Sequence, residues 1–295
     1  MIPFLAEPGL IPGCDGAGIV RSLGSNVTTF NTGDRVVTHL IGRIPKDAKI
    51  DFSMVGPALG MGSNGTLTRF GVFHCTNLIH APRNLSFEEA ATLPCSGLTA
   101  YNALFGLAGR EVKIDDWVLV QGTGGVSIAA LQIAIAAGAH VVATTSSRDK
   151  ATKLKALGAK EVLNYRETPE WGLLARALTP ASVGFAHIID IGGNATLVES
   201  VKAVRTDGVI STVGLVGGPT EEQVPMLAAS HHSCIVRGIV AGTKTQFENF
   251  VRFVEENDLR PALDDVDFGI EEVKEAYWRQ EKQQHFSKVV IKLQA

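Results

Sequence analysis

The sequence predicts an α/β protein in which a doubly wound parallel sheet is joined to a second, β-rich domain. Two observations carry this. Between residues 116 and 213, near-continuous apolar runs alternate with helical stretches, the pattern of strands covered on both faces. The first third of the chain instead alternates short β-branched runs with clusters of Gly, Asn, Ser, Thr and Asp.

Taken in order, Gly18–Val20 and Asp34–Val37 read as strands, with turns at Leu23–Asn26 and Asn31–Asp34. Residues 41–66, rich in Gly, Pro and Ser, read as a long loop, and such loops tend to be functional or mobile. Ser86 is placed as a helix N-cap, with Glu89 completing a capping box, and a helix is expected over 96–109. Strand and helix then alternate. Asp116–Gln121 is followed by Val126–Ala137, His140–Thr144 by Asp149–Leu157, and Glu161–Leu163 by 168–178. His187–Asp190, Ala195–Val204 and Gly208–Val213 continue the series, with Gly138 and Gly158 as helix stops. Ser233–Val240 is a further strand, Gln246–Asn257 an amphipathic helix, Ile270–Gln280 a short helix and Lys288–Leu293 a closing strand.

Composition narrows the function. The 295 residues are 45% hydrophobic and 19% charged, which is globular and not disordered. A net charge of −3 gives no basic surface for nucleic acid. Cys14, Cys75, Cys95 and Cys234 are too few and too dispersed for a disulfide scaffold, and no CxxC pair suggests a zinc lobe. The start, MIPFLAEPGL, lacks the features of a signal peptide, and no apolar run is long enough for a membrane span. The expectation is a reduced, cytoplasmic protein acting on a small molecule.

The sharpest local signal is Val118–Gln121 running into Gly122-Thr123-Gly124-Gly125, after which Val126-Ser127 opens a helix. Gly122 permits the tight turn, and Gly124 and Gly125 let backbone approach a pyrophosphate. The helix start offers unpaired N–H groups and a positive dipole end. Ser127 stands where a third glycine is usual, and it is small enough to pack closely. Between two strands of a parallel sheet, this is read as a dinucleotide site. The next strand ends in Thr145-Ser146-Ser147-Arg148, with no acid before Asp149. A carboxylate there would bond a ribose 2′-hydroxyl and repel a 2′-phosphate. Hydroxyls with Arg148 and Lys150 favour NADP(H). The blander reading is a solvated helix start with capping serines.

Several stretches together resemble the medium-chain dehydrogenase/reductase superfamily, which includes zinc alcohol dehydrogenases and quinone oxidoreductases. They are Pro12–Gly18, Gly33–Val36, Glu88–Tyr101, Gln121–Ser127, Lys155–Ala159, Asn164-Tyr165, Gly238 and Lys288–Ile291, in family order. The resemblance implies a GroES-like β-barrel domain and a Rossmann domain, with the active site in the cleft between them. The corresponding boundaries are 1–95 for the first part of the barrel domain, 96–242 for the NADP-binding domain and 243–295 for the return to the barrel. It implies cofactor contacts at Thr99, Gly122, Thr123, Gly124, Gly125, Val126, Ser146, Lys150, Tyr165, Gly192, Val213, Gly214 and Lys288. Relatives carry barrel strands before the Pro12–Gly18 motif, so the barrel here is expected to be incomplete.

Zinc relatives take one cysteine from that earlier segment, a histidine where this chain has Cys14, and a cysteine at the place of Cys95. Asp15 matches the neighbouring acid. Cys14, Asp15 and Cys95 are ligand types for zinc, but no family-matched fourth group is supplied, and quinone-reductase-like relatives lack the metal. The reading is metal-free. Cys14, Asp15, His39 and Cys95 are the catalytic candidates, and Asp190, at a strand end, either orients the cofactor or caps a turn. The expected activity is hydride transfer from NADPH to a C=C or C=O of an apolar enone, quinone or aldehyde. The alternatives are a zinc alcohol dehydrogenase and a cofactor-binding protein without redox activity. A homodimer through Cys234–Val240 is implied by the family's habit of pairing that strand.

Overall fold

A computed structural model describes residues 8–214, 216–218 and 223–293 of the chain. The opening segment read for a signal peptide lies mostly outside these. The chain divides into two units, one running to Leu98 and resuming at Val240, the other spanning Thr99–Ile239.

In the first unit, β1 (Ala17–Ile19), β2 (Arg35–Thr38) and β3 (Leu78–His80) form an antiparallel sheet in that order. Val37 pairs with Ala17 on one side and Ile79 on the other, and is fully buried. Helix α1 (Phe87–Ala90) starts at Ser86, whose hydroxyl accepts from the Glu89 N–H while the Glu89 carboxylate accepts from the Ser86 N–H. The expected single helix over 96–109 is instead two elements. A π-helical turn at Leu93–Gly97 precedes α2 (Leu98–Phe105), which from Thr99 onward belongs to the other unit and ends before Gly109, at φ +78°.

The second unit is built of β4 (Trp117–Gln121), α3 (Gly125–Ala136), β5 (His140–Thr145), α4 (Arg148–Ala156) and β6 (Glu161–Asn164). It continues with α5 (Trp171–Ala177), β7 (Phe185–Asp190), α6 (Asn194–Ala203), β8 (Val204–Thr212), α7 (Ala228–His231) and β9 (Ile235–Gly238). The six strands are parallel, in the order β6-β5-β4-β7-β8-β9. This is the doubly wound Rossmann arrangement. Leu119, Val142, Phe185, Ile188 and Ile210 from neighbouring strands meet Trp171 and Val201 from the helices in one buried cluster. Strand order reverses at β4, which adjoins both β5 and β7, and the carboxyl ends of such a pair are where ligands bind.

The chain then returns to the first unit. Thr243 caps α8 (Lys244–Glu256), and Phe247, Phe250, Val251 and Val254 recur at helical spacing on its buried face. Two strands, β10 (Leu263–Gly269) and β11 (Lys288–Lys292), pair in parallel across α9 (Val273–Glu281). No helix among the described residues is long and apolar enough to cross a membrane.

Candidate functional site

The glycine turn lies at the carboxyl end of β4. Gly122 has φ +74°, a left-handed conformation that side chains resist, and its N–H donates to the Thr144 carbonyl at 2.8 Å. Gly124 is the N-cap of α3 in extended geometry, and no side chain caps the helix. A Cβ placed on Gly124 would meet nothing within 4 Å. The first turn of α3 therefore has N–H groups that no side chain caps, beside a glycine with free space at its Cβ, the anion-binding form of a helix start. The buried Ser127 hydroxyl donates to the Gln121 carbonyl at 2.5 Å and ties the helix back to the strand.

Asp190, fully buried at the end of β7, accepts from the Gly193 N–H at 2.9 Å, the Thr196 hydroxyl at 2.8 Å, the Ser200 hydroxyl at 2.6 Å and the Gln121 amide at 3.2 Å. It caps the turn into α6 and locks β7 to β4. Gly192, Val213 and Gly214 follow at the carboxyl ends of β7 and β8, where the Val213 N–H donates to the Asp190 carbonyl at 2.8 Å. Beyond β5, Ser147 caps α4 through the Lys150 N–H, and the exposed Arg148 lies 3.3 Å from Glu167. Tyr165 follows β6, 40% exposed, with its N–H on the Thr145 carbonyl. Ser146, Arg148, Lys150 and Tyr165 thus share one edge of the sheet. Thr99 is buried in the first turn of α2.

Lys288 is placed in the other unit. Its ammonium donates to Asp15 Oδ2 at 2.6 Å and reaches the Ser96 hydroxyl at 3.5 Å. Cys14 donates to Asp15 Oδ1 at 3.3 Å, and the ligand atoms of Cys14, Asp15 and Cys95 lie within 4.8 Å of one another. The π-helical turn presents Cys95 and Ser96. The segment bearing Cys14 and Asp15 is pinned by the 41–66 loop and its continuation. The Thr66 hydroxyl donates to the Asp15 carbonyl at 2.7 Å, and Gly65 sits so close that a Cβ there would be 1.9 Å from the Gly13 oxygen. The contact between the two thiols draws the Cys95 pKa down, and the same contact, with burial and the Asp15 charge, drives that of Cys14 well up. Burial opposes charge on Lys288, but Asp15, with Cys95 and Cys14, more than offsets it and holds the ammonium protonated.

A catalytic zinc needs three protein ligands and an open position. The third ligand here would be Asp15, and both of its oxygens are engaged, one of them by an ammonium. The cluster does not fit a divalent ion in this arrangement.

His39 is 1% exposed, with Nδ1 at 2.6 Å from the Ile41 carbonyl and Nε2 at 3.0 Å from the Gly242 carbonyl. Burial lowers its pKa against the two carbonyl contacts, which raise it, and the ring braces the end of β2 against Gly242. Sequence reasoning did not find the Asp15–Lys288 pair, the Ser96 contact or the Gln121–Asp190–Ser200 network. Each joins residues far apart in the chain with no local pattern.

Residues 125–256 match the family described as zinc-binding dehydrogenase, and residues 2–83 that described as alcohol dehydrogenase GroES-like domain. A zinc-type alcohol dehydrogenase-like protein of Schizosaccharomyces pombe is 40% identical over 99% of this chain and 85% of its own length. Among solved structures, one described as an alcohol dehydrogenase from Sinorhizobium meliloti 1021 superposes with a TM-score of 0.87 at 35% identity, covering 98% of this chain and 84% of that one. An NAD-dependent alcohol dehydrogenase superposes with a TM-score of 0.84 at 31% identity, with the same coverage.

Proposed function

The chain belongs to the medium-chain dehydrogenase/reductase superfamily of oxidoreductases, and we propose that within it the protein is an NADPH-dependent, metal-free reductase of an apolar C=C or C=O compound. The observation that carries the reading is the glycine turn at the reversal of strand order, opening into a helix start that no side chain caps. Those N–H groups would take the pyrophosphate. Gly192, Val213 and Gly214 would border the nicotinamide side, with Thr99 as a further contact. Ser146, Arg148, Lys150 and Tyr165 would surround the 2′-phosphate, where a carboxylate would be needed to prefer NAD. When bound, NADPH supplies the hydride, and the protein's part is to position it and exclude water. The family-implied contact of Lys288 with the cofactor is retained as part of this proposal, alongside its ion pair with Asp15.

Purified protein should oxidise NADPH in the presence of an enone, quinone or aldehyde panel, at a rate that a chelator leaves unchanged. Tight NADPH binding with no turnover on any of these would overturn the reductase reading. The choice of cofactor has its own test, because the solved relative above uses NAD. Removing both cations in Arg148→Ala/Lys150→Ala should raise the KM for NADPH about tenfold or more, the scale of one or two charge-assisted hydrogen bonds at an exposed site, and leave NADH unaffected. Equal use of NADH by the unaltered protein sinks the NADP assignment.

Assembly is proposed through β9, an edge of the six-stranded sheet, pairing with its copy across a two-fold axis. Val236 is 42% exposed there. The expected native mass is twice 31.3 kDa, falling to a single chain in Val236→Lys. A single-chain mass for the unaltered protein would rule the pairing out. Four free thiols agree with a reducing, cytoplasmic setting.

A further inference from the structure

We propose that Lys288 is the resident cation of the Cys14–Asp15–Cys95 cluster, and that its ammonium keeps divalent metals out of a donor set otherwise able to take one. This extends the metal-free reading above by naming the residue responsible.

The donor set is suited to a metal by type. Two sulfurs and a carboxylate, all within 4.8 Å of one another, mix soft and hard ligands as zinc and cobalt sites do. It is held from several directions. The Thr38 hydroxyl donates to the Cys14 carbonyl at 2.6 Å and Thr66 secures the Asp15 carbonyl, so the two ligands on that segment are fixed relative to β2. Cys14 packs against Leu40, Ile41 and Ala58, which keeps solvent from one side.

The cation position is already taken by the chain itself. Lys288 opens β11, and the residue before it, Ser287, is buried with φ +61°, a left-handed conformation that a non-glycine residue adopts only under constraint. The Lys288 ammonium then lies 2.6 Å from Asp15, with the two side chains only 23% and 19% exposed. A divalent ion bound to Asp15 would sit against this ammonium. To enter, it would have to strip Lys288 of its carboxylate and leave a charge without a counter-ion in a poorly solvated position. With the ammonium removed, the carboxylate loses its cation while both thiols stay in reach, and a metal can replace it.

The test is cobalt titration of the reduced full-length protein, read by thiolate-to-cobalt charge-transfer absorption. Lys288→Met and, as a second variant, Lys288→Gln should each gain one equivalent of cobalt at least tenfold more tightly than the unaltered protein. Lys288→Arg keeps the charge and should remain without the bands. Cys95→Ser in the Lys288→Met background should abolish them. Thiolate bands at one equivalent in the unaltered protein would overturn the proposal. So would their absence from both uncharged variants when these unfold at the same temperature as the unaltered protein. Metal binding is read here independently of turnover, so failure of the NADPH assay leaves this result interpretable, and the reverse also holds.

Discussion

Replacing Gly124 with valine is expected to destroy NADPH binding while leaving the protein folded. Gly124 has φ −79° and ψ 174°, which any residue adopts, and its Cβ direction is free of protein atoms for 4 Å. The isopropyl group would fill the approach that a pyrophosphate needs to reach the first N–H groups of α3. A loss of affinity on the order of 100-fold, close to 3 kcal/mol, is the expected result. The fold should lose no more than about 1 kcal/mol, since valine is a poorer N-cap than glycine. Gly122→Ala makes the instructive contrast. At φ +74° an added Cβ is strained by about 1–2 kcal/mol, so that variant should lose stability first and affinity as a consequence. Fluorescence titration with NADPH, paired with thermal unfolding, separates the two. Unchanged affinity in Gly124→Val would mean that the dinucleotide does not use this turn.

The glycine turn was legible in the sequence because everything it needs is local. Strand, turn and helix start are consecutive, and each announces itself through residue type. The parallel sheet was legible for a related reason, since strands buried on both faces are written as runs such as Val118–Val120 and Ile188-Ile189. The failures were equally physical. Strand β10 reads LDDVDFG, and its three aspartates argue against a strand. It forms because β11 pairs with it and because Arg279, brought in from α9, engages Asp264 and Asp265. Asp15 and Lys288 are 273 positions apart, so no spacing rule could join them. The contact of His39 with Gly242 is likewise hidden from the sequence, because the two are 203 positions apart.

The acid limb of stability offers the other large effect, and it arises far from the cofactor turn. His187 lies near the amino end of β7 and is 3% exposed, beside a recess of about 190 Å³ that Arg110, Lys113, Asp116 and Arg205 help to line. Its Nδ1 is buried with no hydrogen-bond partner among the described residues. Burial depresses its pKa from 6.5 to about 4, with Asp116 pulling it up and Arg205 pushing it down. Between those values the unfolded chain binds a proton that the folded chain refuses. The stabilisation is therefore complete above pH 6.5 and is lost as pH falls toward 4. At about 1.36 kcal/mol per pH unit, the loss amounts to roughly 3 kcal/mol. His187→Leu removes the titrating ring without orphaning a partner of Nδ1. Its stability should fall less steeply than that of the unaltered protein between pH 7 and pH 4, by about this amount. Urea unfolding of both proteins across that range provides the measurement, and because other acid-sensitive groups such as His39 are common to both, their contribution cancels in the difference. Parallel stability curves would show that His187 is not the group responsible. The glycine turn sits at the opposite, carboxyl ends of the strands, so the variant should retain its affinity for NADPH at pH 7, which separates a change in stability from damage to the cofactor site.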